Sequence, residues 1–502
     1  MVNTIKIAAL DSTPIEYVET VPKQGAFKDV YFSPDKSYAV AFFRDFKKGT
    51  PEYSATKERL LKITGVYRDK IFNQVGGEYW KNLYCWPEKI VEHNDRIGVV
   101  VPTYPKHFYF EFGSKNDDAL GIKGSEKEGK WFSASNRNRF LDNREKGTLI
   151  THLRICINIS RAVRRMHAAG LAHSDLSYKN VLIDPVTGNA SIIDIDDLVV
   201  PDMFPPNVMG TTDFIAPEVL ATQKFPKEKR ILPSRSTDQH ALATLIYMYL
   251  LFRHPLKGKK VHHPDPQEDD LLAMGEKALF IEHPTDTTNR PNLQDQKPSD
   301  FPWIDTKKLP YTILGPYLVP LFNKAFINGL HNPQERPLAT EWEQVLIKTV
   351  DLLQPCQNSQ CEQKWFVFDN KTKPSCPYCG TEYKGELPVL DFYSPLKEGR
   401  FTYDNHRLMV YNGQNIYQWH VNKNIFPNEQ LTDEQRKPVA DFQIVNDKWY
   451  LINRKLTSMY DKTENKHIPP NSMVELTSGK QILLSSESGG RLTVITKFVI
   501  IP

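Results

Sequence analysis

The chain reads as an α+β protein of several domains: a mixed N-terminal lobe, a helical lobe, a short cysteine-bearing segment and an all-β tail. Three observations predict this. Near position 149 the apolar pattern changes from strand-like alternation to helical spacing. Four of the six cysteines fall into CQNSQC at 356–361 and CPYCG at 376–380. Beyond 386, short β-branched and aromatic runs alternate with turn pairs. At 502 residues the chain exceeds a single ordinary core.

Composition narrows the function classes. The 64 Lys and Arg against 60 Asp and Glu leave a net charge of +4, without the basic excess of a dedicated nucleic-acid binder. Hydrophobic content of 40% and aromatic content of 11% suffice for packed cores. The N-terminal stretch MVNTIKIAALDSTPIEY lacks the long apolar region of a signal peptide. The longest apolar run, ALATLIYMYLLF at 241–252, is too short to cross a bilayer and reads as a buried helix. The expectation is a cytoplasmic protein with no membrane or nucleic-acid partner.

In the first lobe, residues 1–103, VYF and YAVAFF read as strands and SATKERLLKITGVYRDKIF as an amphipathic helix. RIGVVVPTY reads as a buried strand ending at a proline. The polar segment 113–147 is expected to be mobile. In LITHLRICINISRAVRRMHAAG, Leu149, Leu153, Cys156, Ser160, Val163 and His167 share one helical face. Further helix-rich stretches cover 236–253 and 316–353, with a long irregular insertion at 254–315. In the tail, RLMVYN, NIYQWHV, KWYLIN, MVELTS, KQILLS and RLTVITKFVII are separated by turns such as NG at 412–413, ND at 446–447 and GG at 489–490. That texture predicts a β-sandwich over 386–502. Cys85 and Cys156, alone in apolar surroundings, read as small core residues.

The chemistry concentrates in HSDLSYKNVLIDPVTGNASIIDIDD, residues 173–197. Phosphoryl transfer needs a carboxylate to orient and deprotonate the acceptor hydroxyl and oxygen ligands to hold Mg²⁺ on the nucleotide phosphates. Asp175, then Asn180, then a strand and Asp194 have that spacing. The alternative, a solvated acidic turn, is outweighed by the apolar SIID before it, since a buried strand delivering a carboxylate fits metal binding better.

At these residues the chain resembles the protein kinase superfamily. HSDLSYKN stands for H-R-D-L-x-x-x-N, Asp194-Ile195-Asp196 for D-F-G, and GTTDFIAPE at 210–218 for the end of the activation segment. STDQHALATLIYMYL resembles the buried helix whose leading aspartate, here Asp238, braces the catalytic loop. NPQERPLATEWEQVL resembles the final helical region, where Arg336 would pair with Glu218. The resemblance implies a bilobal protein-kinase-like fold, with an N-lobe at 1–103 and a C-lobe at 104–353. It also implies ATP and Mg²⁺, with Asp175 as the base, Asn180 and Asp194 as Mg²⁺ ligands, and Lys179 reaching the transferring phosphate.

The departures carry information. Ser174 replaces the arginine before the catalytic aspartate, which implies that a phosphorylated activation loop has no guanidinium partner there. Asp196 replaces a glycine, either as a second Mg²⁺ ligand or as an acidic turn residue. KQGAFKDVYF at 23–32 keeps Gly25, Phe27 and Val30 of the glycine-rich loop, flanked by lysines that could contact phosphate. SYAVAFFRD lacks the expected strand lysine; Arg44 is the nearest cation, and Glu58 in the following helix is its expected partner. The hinge IGVVVPTY would present the Thr103 and Tyr104 backbone to adenine.

Cys356, Cys361, Cys376 and Cys379, as C-x4-C and C-x2-C pairs around a fourteen-residue spacer, fit a tetrahedral thiolate Zn²⁺ site better than disulfides in a cytosolic chain. Residues 354–385 resemble a zinc ribbon. The tail resembles forkhead-associated domains in DKWYLINRKLTSMYDKTENKHIPPNSMVELTSGKQILL, without an evident S-x-x-H element. Kinase, ribbon and β module in this order resemble the bacterial kinases of the tellurite-resistance phosphorylation triad. That implies a von Willebrand factor A domain protein and a PP2C-type phosphatase as partners. The reading is a Ser/Thr-type protein kinase acting on a protein substrate. Two rivals stand beside it: a pseudokinase scaffold, suggested by the missing lysine, and a small-molecule or lipid-type phosphotransferase, suggested by D-x-D. GTTDFIAPE, a peptide platform, argues against the second.

Overall fold

Strand alternation in the first hundred residues builds two layers on either side of one sheet. The computed structural model describes residues 3–20, 22–24, 27–73, 76–203, 210–294, 296–368, 374–397 and 399–500. Strands β1 (Thr4–Ala8) and β2 (Pro14–Val18) form a hairpin. Strands β3 (Lys23–Gln24), β4 (Lys28–Phe32), β5 (Tyr38–Lys47), β6 (Lys89–His93) and β7 (Arg96–Pro102) make an antiparallel sheet in the order β3-β4-β5-β7-β6. Successive side chains on β5 point to opposite faces. Val40 and Phe42 pack under the hairpin with Ile15 and Tyr17. Ala41 and Phe43 pack with Tyr53 and Leu60 of the helix Pro51–Lys62. Phe43 and Leu60 are fully buried, each contributing about 1.5–3 kcal/mol of hydrophobic stabilisation.

The helix Pro51–Lys62 opens on Thr50, whose side chain accepts the Tyr53 N–H, with Pro51 at the first position. The stretch expected as one helix is interrupted. A π-turn at Ile63–Tyr67, with Gly65 off helical geometry, leads into a second short helix, Arg68–Phe72. Glycine tolerates that break where a side chain would favour continued helix.

The helical lobe is organised by the amphipathic helix Leu149–Ala168 and by the helix Arg235–Leu251, which is buried nearly all round. Between them lie β8 (Ala172–His173), the hairpin β9 (Val181–Asp184) and β10 (Asn189–Ile192), and β11 (Leu198–Val199), which pairs with β8. Residues 113–147 are ordered, contrary to expectation. Phe132 and Leu141 are buried, and Lys127 forms buried ion pairs with Glu145 (2.9 Å) and Asp184 (3.6 Å). Asp184 lies outside the segment and its contact is invisible to local composition, which alone suggested a solvated loop. The insertion at 254–315 contains the helix Pro266–Met274 and is otherwise largely irregular.

The molecule divides into two compact units. One comprises Met1–Gly147, Thr151–Tyr311 and Pro320–Glu343; the other Thr148–Ile150, Thr312–Val319 and Gln344–Pro502. The division falls inside the helix Ala339–Val350 rather than at 353. In the second unit β12 (Leu353–Pro355) pairs with β13 (Trp365–Val367). The following strands are β14 (Gly385–Lys397), β15 (Arg400–Met409), β16 (Asn415–Ile416), β17 (Ala440–Val445), β18 (Lys448–Asn453), β19 (Tyr460–Asp461), β20 (Lys466–His467), β21 (Met473–Glu475), β22 (Gln481–Leu483) and β23 (Leu492–Ile500). They form a six-stranded sheet, β15-β14-β23-β22-β19-β20, and a four-stranded sheet, β16-β17-β18-β21. Phe392, Leu408, Phe442 and Leu451, drawn from both sheets, share one core. NIYQWHV is not one strand: after β16 it turns into the short helix Gln418–Val421, where Tyr417 N–H donates to His420 Nδ1. Cys361 and Cys376 pack in one cluster with Leu387, Val389 and Met409, so the cysteine segment and the strands share apolar contacts.

Candidate active site

The β9–β10 hairpin brings the two ends of the acidic stretch together. Ile193 N–H donates to Asn180 O (3.0 Å) just beyond the last β9–β10 pair. Below it, Asp238 Oδ2 accepts the His173 N–H (2.8 Å) and lies 3.0 Å from His167 Nε2. The His173 ring in turn meets Ile193 O at 3.0 Å. One buried carboxylate thus braces the loop that carries Asp175, as the resemblance implied.

Asn180 Nδ2 donates to Asp175 O (2.8 Å) and to Asp175 Oδ2 (3.1 Å). Both bonds use the amide nitrogen, and the carboxamide oxygen remains the end suited to a hard cation. Asp175 Oδ1 accepts the Thr211 N–H at 2.9 Å, and Thr211 Oγ1 lies 3.3 Å from Ser177 Oγ. Asp194 sits at φ 62°, ψ 41°. A left-handed aspartate costs about 1–3 kcal/mol, a strain typical of functional sites. Ser174 Oγ donates to Asp197 O at 2.7 Å, so the serine ties the catalytic loop to the start of the next segment without any phosphate. Lys179 is exposed, with its backbone N–H on Ser177 Oγ. The platform end of that segment is fixed by Arg336, which grips both oxygens of Glu218 at 2.8 and 2.7 Å.

A cavity of about 270 Å³ opens above Asp194. Val30, Phe32, Ala39, Ala41, Val99 and Val101 form apolar walls, while Lys28, Asp194 and Asp196 lie at its polar end. Tyr104 lines it. Thr103 also touches it, but its N–H is taken by Ser37 O (3.2 Å) and its hydroxyl by Lys36 O (2.8 Å), so its backbone donor is not presented to a base. Phe27 lines the cavity and is 54% exposed; Gly25 lies outside the described residues.

The expected Arg44–Glu58 pair does not form. Arg44 shares its face of β5 with Val40 and Phe42, away from the cavity, and lies 3.7 Å from Asp29. Glu58, 63% exposed, pairs with Lys62 at 3.3 Å. The reason is strand parity: one residue along a strand reverses the face, and the cavity side at that point is occupied by Phe43. Two lysines line the cavity: Lys23, paired with Glu126, and Lys28, which is the cation at the end that carries Asp194 and Asp196. Its Nζ lies 2.7 Å from Asp194 Oδ1 and 2.6 Å from Asp196 Oδ2, and 5.1 Å from the Phe43 ring centre. The signal was present in the alternation Lys28-x-Val30-x-Phe32, which puts the lysine on the valine's face.

This cluster shapes its own ionisation. Burial opposes the Lys28 charge, but Asp196 and Asp194 hold its pKa well above the usual lysine value. Burial also works against ionised Asp194, yet Lys28 keeps it below the ordinary carboxylate range. Burial dominates at Asp196, whose pKa is raised, and at Asp197, pushed up to about 7.

In the second unit, Cys356 Sγ lies 3.5 Å from Cys379 Sγ and Cys361 Sγ 3.8 Å from Cys376 Sγ, with all four sulfurs within 4.8 Å of one another. Zn–S bonds of about 2.3 Å give tetrahedral S···S edges of about 3.8 Å. The donor set and spacing therefore fit Zn²⁺.

Residues 127–301 match the protein kinase domain family. The chain is 30% identical over 109 residues to the serine/threonine-protein kinase ppk21 of Schizosaccharomyces pombe, covering 20% of this chain and 18% of that protein. It is 29% identical over 147 residues to the serine/threonine-protein kinase PknD of Chlamydia abortus, covering 25% of this chain and 15% of that one. The chain thus spans less than a fifth of either relative. No helix among the described residues is long and apolar enough to cross a membrane. The braced loop lies within the segment that matches the protein kinase domain family, and the Glu218–Arg336 clasp ties that segment to residues beyond it.

Proposed function

We propose that the chain is an ATP- and Mg²⁺-dependent protein kinase that transfers the γ-phosphoryl group to a Ser or Thr hydroxyl of a protein. The observation that carries this reading is the Asp175–Asn180 pair, tied through Asn180 O to Ile193 beside Asp194, which lines an apolar-walled cavity. Val30, Ala41 and Val101 supply the walls for a planar base. Thr211 N–H holds Asp175 Oδ1 and leaves the carboxylate oriented to take the proton of the acceptor hydroxyl. Lys179, exposed on the same loop, is the cation for the transferring group. Asn180 and Asp194 hold Mg²⁺, which when bound screens the phosphate charge.

Cys356, Cys361, Cys376 and Cys379 hold a structural Zn²⁺. The β tail serves as a docking module of forkhead-associated type, and the resemblance to the tellurite-resistance kinases supports a von Willebrand factor A domain protein and a PP2C-type phosphatase as partners. The pseudokinase alternative draws on Arg44 facing away from the cavity.

The test is transfer from labelled ATP with Mg²⁺ to a generic protein acceptor. Asp175→Asn is expected to cut transfer by about 10²–10⁴-fold with ATP affinity nearly kept. Asp194→Asn is expected to weaken Mg²⁺–ATP binding. A parent chain that binds ATP without transferring phosphate selects the scaffold; variants as active as the parent exclude the proposed roles.

A further inference from the structure

The strand that should supply a phosphate-pairing lysine carries Phe43 on that face and no lysine before Lys47 at its end, and the helix that should supply its carboxylate partner points Glu58 to solvent. Yet the polar end of the cavity holds a buried ion pair of other origin. Lys28 comes from β4, its side chain 13% exposed, and lies against Phe43 on the neighbouring strand. Asp196, 6% exposed, comes from the third position of the D-I-D turn. Asp194, 42% exposed, shares the same Nζ from the open side. The ammonium is therefore held from behind by a carboxylate that the solvent barely reaches and presented towards the cavity beside Asp194.

Resting on the kinase reading, we propose that Lys28 is the cation that pairs with the nucleotide phosphates and that Asp196 is its positioning residue, so that this ion pair excludes the helix Pro51–Lys62. A phosphate oxygen entering beside Asp194 meets an ammonium already desolvated on one side, where a charge-assisted bond is strong. Asp196 keeps Lys28 from following Asp194 or the phosphate outwards. The 2.6 Å approach of Asp196 Oδ2 to Lys28 Nζ, an ion contact without hydrogen-bond geometry, is what supports a positioning role for Asp196 over a metal-ligand role. Neither member of the pair lies on that helix, whose buried Arg59 acts instead on the neighbouring Asp197.

The full chain is titrated with ATP and, separately, with adenosine, in Mg²⁺, by calorimetry, and the melting of each nucleotide-free variant is recorded. Lys28→Met is expected to lose about ten- to a hundredfold in ATP affinity, with adenosine affinity close to the parent's and melting lowered, because Asp196 loses its counter-ion. Lys28→Arg, keeping the charge, recovers most of the loss. Arg44→Met and Glu58→Gln stay within about twofold of the parent, as sites outside the pair should. Asp196→Asn weakens ATP binding, but adds little in the Lys28→Met background, because it acts through the lysine. Equal losses for ATP and adenosine, an unchanged ATP affinity in Lys28→Met, or a loss in Glu58→Gln as large as in Lys28→Met each overturns the Lys28 assignment. Additive losses in the double variant overturn the role of Asp196. A parent that binds neither compound refutes the kinase reading itself, which separates the two failures.

Discussion

Arg336→Ala removes the clasp between the peptide platform and the end of the kinase domain. The guanidinium is 1% exposed and makes two bonds to Glu218, at 2.8 and 2.7 Å. It also donates to Ser236 O (3.0 Å), Gly329 O (2.9 Å) and Leu330 O (3.2 Å). Truncation leaves a largely buried carboxylate without its counter-ion and three carbonyls without this donor. Breaking a buried pair from one side costs about 3–5 kcal/mol. With a urea dependence of about 3 kcal/mol per molar, the unfolding midpoint of the kinase unit falls by about 1–1.7 M. Glu218→Gln should cost less, because the arginine keeps its three carbonyls and an amide oxygen can still accept. Urea unfolding of the full chain, followed by tryptophan fluorescence with Trp342 in this unit, reads both variants. Arg336→Ala within about 1 kcal/mol of the parent, or no more damaging than Glu218→Gln, would refute the view that the clasp carries the platform.

Two further outcomes follow from the same geometry. Cys376→Ser is expected to remove bound zinc, measured by elemental analysis against one equivalent in the parent, and to loosen β14 and β15 in hydrogen exchange, because Cys376 packs with Val389 and Met409. Metal-free parent protein would remove the zinc assignment. Activity is expected to survive phosphatase treatment, since Ser174 already anchors Asp197 O and no arginine stands there to receive a loop phosphate. Loss of transfer tracking removal of phosphate from Thr211 or Thr212 by mass spectrometry would contradict this.

Much of the candidate site was legible in the chain because its parts are short-range. Asp175 and Asn180 lie five residues apart on one loop, and the bond between them needs no distant element. The cysteine pairs likewise carry their geometry in their spacing, and the strand texture of the tail announced its two sheets. Clasps that join remote segments, Asp238 to His173 and Arg336 to Glu218, were accessible through family resemblance rather than through local chemistry.

Where a residue's partner lies far along the chain, the pattern was silent or misleading. Residues 113–147 look solvated because the anchor of Lys127, Asp184, is 57 positions away. Arg44 looks like the missing cation because position along the chain was matched without its face; strand pairing turned it outward and placed Phe43 inside. Lys28 meets Asp194 across 166 residues of sequence. Side-chain alternation within β4 already set which way Lys28 points, but only the packing of the sheet over the catalytic loop could set what it meets. Periodicity is a property of neighbouring residues, whereas the pairing of buried charges depends on which faces are brought together and closed off from water.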